Sequence, residues 1–155
     1  GAWVTLRLLA ELQKAGEGHR IKGLVLIAPA PDFAMELIEP KLTAKKRGDL
    51  ETQGWFEEQS DYLAEPNRWS KAFLDDGRAN RVLDGIIDTH CPVHILQGMK
   101  DEDVPHTHAL QLVSHLPSDR VTLSLVADGD HRLSRLADLA LLERTVLGML
   151  AEAAG

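Results

Sequence analysis

The sequence predicts an α/β fold in which three parallel strands carry helices on their faces, and three observations predict it. The apolar patterns run helix, strand, insertion, strand, helix, strand, helix, the alternation that yields a parallel sheet joined by right-handed crossovers. Ile21 to Ala28, IKGLVLIA, is a continuous apolar run of strand length, as expected of a strand covered on both faces. Val93, Ile95 and Leu96 form a short apolar run with β-branched members, introduced by Pro92, stopped by Gly98, and followed just past the strand's end by a carboxylate, Asp101.

Taken in order, Ala2 to Lys14 places apolar residues at 2, 3, 4, 6, 8, 9, 10 and 12, nearly the whole circumference of a helix, which predicts a helix buried on most sides. Gly16 and Gly18 stop it, and Pro29 and Pro31 end the strand that follows. From about Asp32 to Asp88 no strand pattern appears. Acids and bases alternate there, with Trp55, Phe56, Tyr62, Trp69 and Phe73 spread among them, which reads as short helices and loops, one of them Ser70 to Asp75 with Gly77 behind it. An insertion of this length between core strands usually covers a site or is poorly ordered, and the cover is favoured because its aromatics need something to pack against. Pro105 opens a helix to about His115, with Ala109, Leu110, Leu112, Val113 and Leu116 on its inner side. Arg120 to Val126 alternates polar and apolar residues and suits a strand near a sheet edge. A last helix runs from about Leu136 to Ala153, with Ser134 as its N-cap.

The 155 residues, 44% apolar and 26% charged, suffice for one globular domain, with residues 32–88 as a lid-like insertion within it. A net charge of −7, with Lys45, Lys46 and Arg47 the only basic cluster, argues against nucleic acid or an anionic membrane as partner. No run approaches the roughly 18 apolar residues that span a bilayer. One cysteine, Cys91, allows no internal disulfide; it precedes its strand, at the end away from the predicted site, and is expected to be packed. The chain starts on Gly1 and enters a helix at once, from which a piece of a longer chain is expected, with any targeting segment outside it.

Three loops leave the carboxyl ends of the strands: Pro29 to Phe33, Gly98 to Pro105 and Ala127 to Leu133. In a parallel sheet they share one edge, where sites form. The second supplies Asp101 and the third His131, acid before base, the order of the last two members of a Ser, Asp, His triad on the α/β-hydrolase fold. The missing member is a serine on a strand-to-helix turn of the form G-x-S-x-G. Alternatives stay open for each residue: Asp101 as a helix cap or turn carboxylate, Asp103 as the acid, His131 as an ordinary loop histidine, Asp128 and Asp130 as turn residues. The pairs His90/His94 and His106/His108 invite a metal reading. Four residues along a strand span about 13 Å, too far to share an ion, and neither a metal nor a cofactor is expected.

GAW at the start, APAPDF after the first strand, LQGMKDEDVP and DGDHRLSR together resemble the carboxyl-terminal half of α/β-hydrolases, serine hydrolases of the ABHD10 palmitoyl-protein thioesterase type and their bacterial relatives. The resemblance covers essentially the whole chain and is most specific in GMKDEDVP and DHRLSR. It implies a partial α/β-hydrolase fold with Asp101, within Gly98-x-x-Asp101-x-x-Val104-Pro105, as the triad acid and His131 as the base. The nucleophilic serine is then expected two residues before Gly1, so these residues alone are expected to be inactive. The parent is expected to hydrolyse small acyl esters or thioesters, plausibly of acylated protein such as palmitoyl-cysteine, in a bacterial cytoplasm or a mitochondrion. His106 stands where relatives often have an aromatic, and Leu136 replaces a common proline. A reading of another class is a stand-alone flavodoxin-like ligand-binding domain, although no Gly-rich phosphate motif supports it. Oligomeric state is not legible in the residues.

Overall fold

The computed structural model describes residues 1–59, 64–117 and 120–154. These fall into two compact units, Gly1–Pro31 with Val82–Gly155, and Asp32–Arg81. The first contains helix α1 (Ala2–Lys14), strand β1 (Leu24–Ile27) and, after the insertion, β4 (Val93–Gly98), α4 (His106–His115), β5 (Val121–Val126) and α5 (Leu136–Ala154). The three strands are parallel in the order β1-β4-β5. Leu24 pairs with Val93 and Val93 with Val121, so the strands begin level and deliver their following loops to one edge. That is the predicted α/β architecture, with β5 beside β4 at one side of the sheet.

The core forms where the apolar faces of α1, α4 and the strands meet: Leu6 and Leu9, Leu24 and Leu26, Val93 and Ile95, and Ala109, Leu112 and Leu116 are all buried. Cys91 joins this cluster, and burial pushes its thiol above the ordinary value, which suits packing rather than reactivity. Leu83 belongs to the same core, and the Ile87 amide donates to the His115 carbonyl. Val82, Leu83 and Ile87, within the stretch read from the sequence as the end of the insertion, thus pack with this core.

Several local expectations are corrected. Helix α1 has the predicted ends, but it is not buried on most sides: Val4 is 72% and Leu8 54% exposed. Likewise β1 is covered less than a continuous apolar run suggests, since Ile27 faces solvent. Leu110, placed on the inner side of α4, is exposed, and His108 takes a buried position there, its ring nitrogen bonded to the Pro31 carbonyl at 2.8 Å. The final helix is capped not by Ser134 but from within, because the Asp138 carboxylate reaches back to accept the Arg135 amide at 3.1 Å.

The second unit holds a π turn (Ala34–Ile38), α2 (Ala44–Thr52), β2 (Trp55–Glu58), β3 (Asn67–Ser70) and α3 (Lys71–Ala79). It is not made of helices and loops alone, because β2 and β3 form a two-stranded antiparallel sheet pairing Phe56 with Trp69. Two four-residue strands separated by a long polar connection give too few alternations to be seen in sequence, and their aromatics are what favours the extended form. Helix α3 runs through Gly77 rather than ending before it, with Ser70 as N-cap accepting from the Phe73 amide. Phe33, Trp69 and Phe73 form one aromatic cluster, with centroids 5.5–6.0 Å apart. Tyr62 lies outside the described residues.

One consequence of the sheet is measurable. His94 on β4 bonds to Ser124 Oγ at 2.9 Å, and burial holds its imidazole below the ordinary value. The unfolded chain then binds the proton first, so folding stability should fall as pH drops below about 6.5, the unfolded value, toward the folded one. His94→Gln should show a smaller loss of Tm between pH 7.5 and 5.5 than the wild type. Equal losses would remove His94 as a source of acid sensitivity.

Candidate active site

The site is built where β4 and β5 end. Gly98 closes β4, and a Cβ there would stand 2.4 Å from the Gly129 carbonyl oxygen and 2.5 Å from that of Asp130. Only glycine lets these two backbones come so close. The exits remain laced together: the Met99 amide donates to Val126 O and the Lys100 amide to Gly129 O, each at 2.9 Å. Asp101 and His131, 30 positions apart in sequence, are thereby brought side by side.

Asp101 Oδ1 accepts the amides of Asp103 at 3.0 Å and Val104 at 2.9 Å. Its Oδ2 accepts Gln97 Nε2 at 3.1 Å and faces His131 Nδ1 at 2.9 Å. The side chain of Asp101 is fully shielded, while that of His131 is 37% exposed. A carboxylate surrounded by N–H donors acts only as an acceptor, so His131 donates to it through Nδ1, with Nε2 on the far side of the ring. Asp101 is also the loop's turn former through its Oδ1, so the capping alternative holds beside the bond from Oδ2 to His131.

The loop bearing His131 is braced on both sides. Asp130 Oδ1 accepts the amides of Arg132 and Leu133, a turn role as expected from sequence. Asp128 does more than turn the chain. It shares the Arg135 guanidinium with Asp138, and hydrogen bonds from that guanidinium hold both carboxyls below the usual carboxylate range.

Asp103 gives its backbone amide to Asp101 rather than standing in for it. Ligand atoms of Asp101, Asp103 and His131 lie within 4.8 Å of one another, a spacing a cation could bridge. To do so it would have to displace the donors already on Asp101. Of the histidine pairs weighed for metal, His94 and His108 have protein partners of their own. Sequence reasoning missed Gln97 and Gly129. The first was signalled by a polar residue closing an apolar strand; the second has no signal of its own, since a Cβ there would meet Leu133 at 2.5 Å, Val126 at 3.0 Å and Gly98 Cα at 3.1 Å only once the loop is folded.

Among the described residues no helix is long and apolar enough to cross a membrane. No family model matches the chain. It is 33% identical over 105 residues to mouse mitochondrial palmitoyl-protein thioesterase ABHD10, covering 63% of this chain and 35% of that protein. A protein of Agrobacterium vitis S4, provisionally described as a hydrolase, superposes with a TM-score of 0.89 at 53% identity over 96% of this chain and 57% of its own. The solved structure of mouse α/β-hydrolase domain-containing protein 10 gives 0.83 at 28% identity, over 98% of this chain and 59% of its own. The chain thus spans between about a third and three fifths of the proteins it matches. These likenesses leave the flavodoxin-like reading without support. With a parallel sheet whose carboxyl edge pairs an aspartate with a histidine, and with these relatives over nearly its whole length, the chain belongs to the α/β-hydrolase superfamily.

Proposed function

We propose that this chain supplies the acid and the base of a serine hydrolase acting on carboxylic esters or thioesters. The observation that carries the reading is the 2.9 Å bond between His131 Nδ1 and the shielded Asp101 carboxylate. A serine hydroxyl is a weak nucleophile until an imidazole takes its proton, and that imidazole needs a carboxylate to fix its tautomer and stabilise the imidazolium. His131 would take the proton through Nε2 and return it to the leaving alcohol or thiol, while Asp101 stays ionised throughout.

The serine would come from the part of the protein ahead of Gly1, two residues upstream, with the first oxyanion donor next to it. Without it the 155 residues have nothing to activate, and we expect them to be inactive alone. The unit Asp32–Arg81 would serve as the lid-like insertion. The mouse relative is named a palmitoyl-protein thioesterase, and cleavage of palmitoyl-cysteine is the finer proposal for this protein, in a mitochondrion or a bacterial cytoplasm.

The test uses the full-length protein. It should label with a serine-directed fluorophosphonate at the residue two before Gly1 and cleave p-nitrophenyl acyl esters; on an S-palmitoyl peptide it should release the free thiol. Absence of labelling and of ester cleavage would sink the hydrolase reading. Ester cleavage without thiol release would sink only the palmitoyl-cysteine assignment.

A further inference from the structure

Gln97 is the last side chain of β4 before Gly98, and it has no accessible surface. Its neighbours in the strand, Ile95 and Leu96, are buried hydrocarbons, and an apolar residue would fill the same space without burying an amide. The carboxamide is used unevenly. Nε2 donates toward three oxygens, Gly98 O at 3.0 Å, Asp101 Oδ2 at 3.1 Å and Val104 O at 3.0 Å. Oε1 is buried and has no hydrogen-bond partner among the described residues. Turning the amide over would set Oε1 against three oxygens, so the orientation is fixed. An acceptor stranded in the interior is a standing cost. It is tolerated at this position because the nitrogen is aimed at Asp101.

We propose that Gln97 is a positioning residue for the Asp101–His131 pair, and the proposal rests on the hydrolase reading above. Oδ2 is the oxygen that holds His131, and Gln97 is its only other donor among the described residues. Two amides pin Oδ1, and the Gln97 amide pins Oδ2, so the plane of the carboxylate is set before the imidazole arrives. By also holding Gly98 O and Val104 O, the same nitrogen clamps the two ends of the acid's loop. A swing of the carboxylate would turn Oδ2 off the ring and release the tautomer.

The test is Gln97→Met in the full-length protein, which keeps the volume and removes the donors. Expected is a fall in kcat of roughly 10–100-fold on a soluble acyl ester, with KM little changed, as for loss of a group that orients another. The acid limb of the kcat/KM profile should move to lower pH, since a carboxylate that has swung off the ring holds the imidazolium less tightly. The far-downfield proton resonance of His131 Nδ1–H should shift or broaden. A second variant, Gln97→Glu, keeps the shape and can donate only when its carboxyl is neutral. Its activity relative to wild type should therefore rise as the pH is lowered. An unshifted acid limb and an unshifted resonance in the Met variant, or a flat ratio in the Glu variant, would overturn the proposal and leave Gln97 a packing residue. The proton resonance is read without turnover, so an inactive wild type whose signal moves on substitution would defeat the hydrolase reading and not the positioning.

Discussion

Asp101→Asn is expected to lower kcat of the full-length protein by about four orders of magnitude while leaving the fold intact, roughly 5 kcal/mol of transition-state stabilisation. The asymmetry of the carboxylate explains both halves of that expectation. An asparagine oxygen in the Oδ1 place still accepts the Asp103 and Val104 amides, so the loop holds. Its amide nitrogen then occupies the Oδ2 place and meets two N–H groups, those of Gln97 and His131. His131 relieves the conflict by moving its proton to Nε2, which removes the lone pair that would accept the serine proton. Fluorophosphonate labelling should slow in parallel, and His131→Ala should abolish it. An Asn variant keeping a tenth of kcat, or undiminished labelling of His131→Ala, would take the pair out of the mechanism.

Gly98→Ala carries the second large effect, on stability as well as activity. The added methyl would lie 2.4 Å and 2.5 Å from two carbonyl oxygens and 2.6 Å from the carbonyl carbon of Gly129. These are backbone atoms of the neighbouring loop, which cannot rotate aside as a flexible side chain would. The loops must part, weakening the bonds from Met99 to Val126 and from Lys100 to Gly129. The cost should be about 2–3 kcal/mol, in the range of an overpacked core, read as a lower urea midpoint with an unchanged slope. Because the same displacement separates Asp101 from His131, kcat should fall at least about 100-fold. A variant within about 0.5 kcal/mol of wild type would show that the loops have room to spare.

Periodicity and Gly/Pro punctuation carry the α/β order, the ends of α1 and the three parallel strands, because those signals are local and each element is long enough to repeat its period. Topology then follows by rule, and with it the placing of Asp101 and His131 on loops at one edge. The cap of the last helix was misread because the sequence offers Ser134, Asp138 and Arg135 within a few positions, and only the fold shows which of them turns inward.

What the sequence determined by itself is therefore the order of elements and the two loops from which an acid and a base are delivered. What only the tertiary structure decided is the small antiparallel sheet of Trp55–Glu58 with Asn67–Ser70, the exposed side of α1, the bare-backbone contact of Gly98 with Gly129, and the aim of the Gln97 amide. The sheet pairing, the cover left off α1 and the Gly98–Gly129 contact turn on what other parts of the chain bring or fail to bring, and a residue's own pattern carries no record of what will be packed against it. The partners of the Gln97 amide are only one to seven positions on, but its aim is set by how the loop of Asp101 folds back over it.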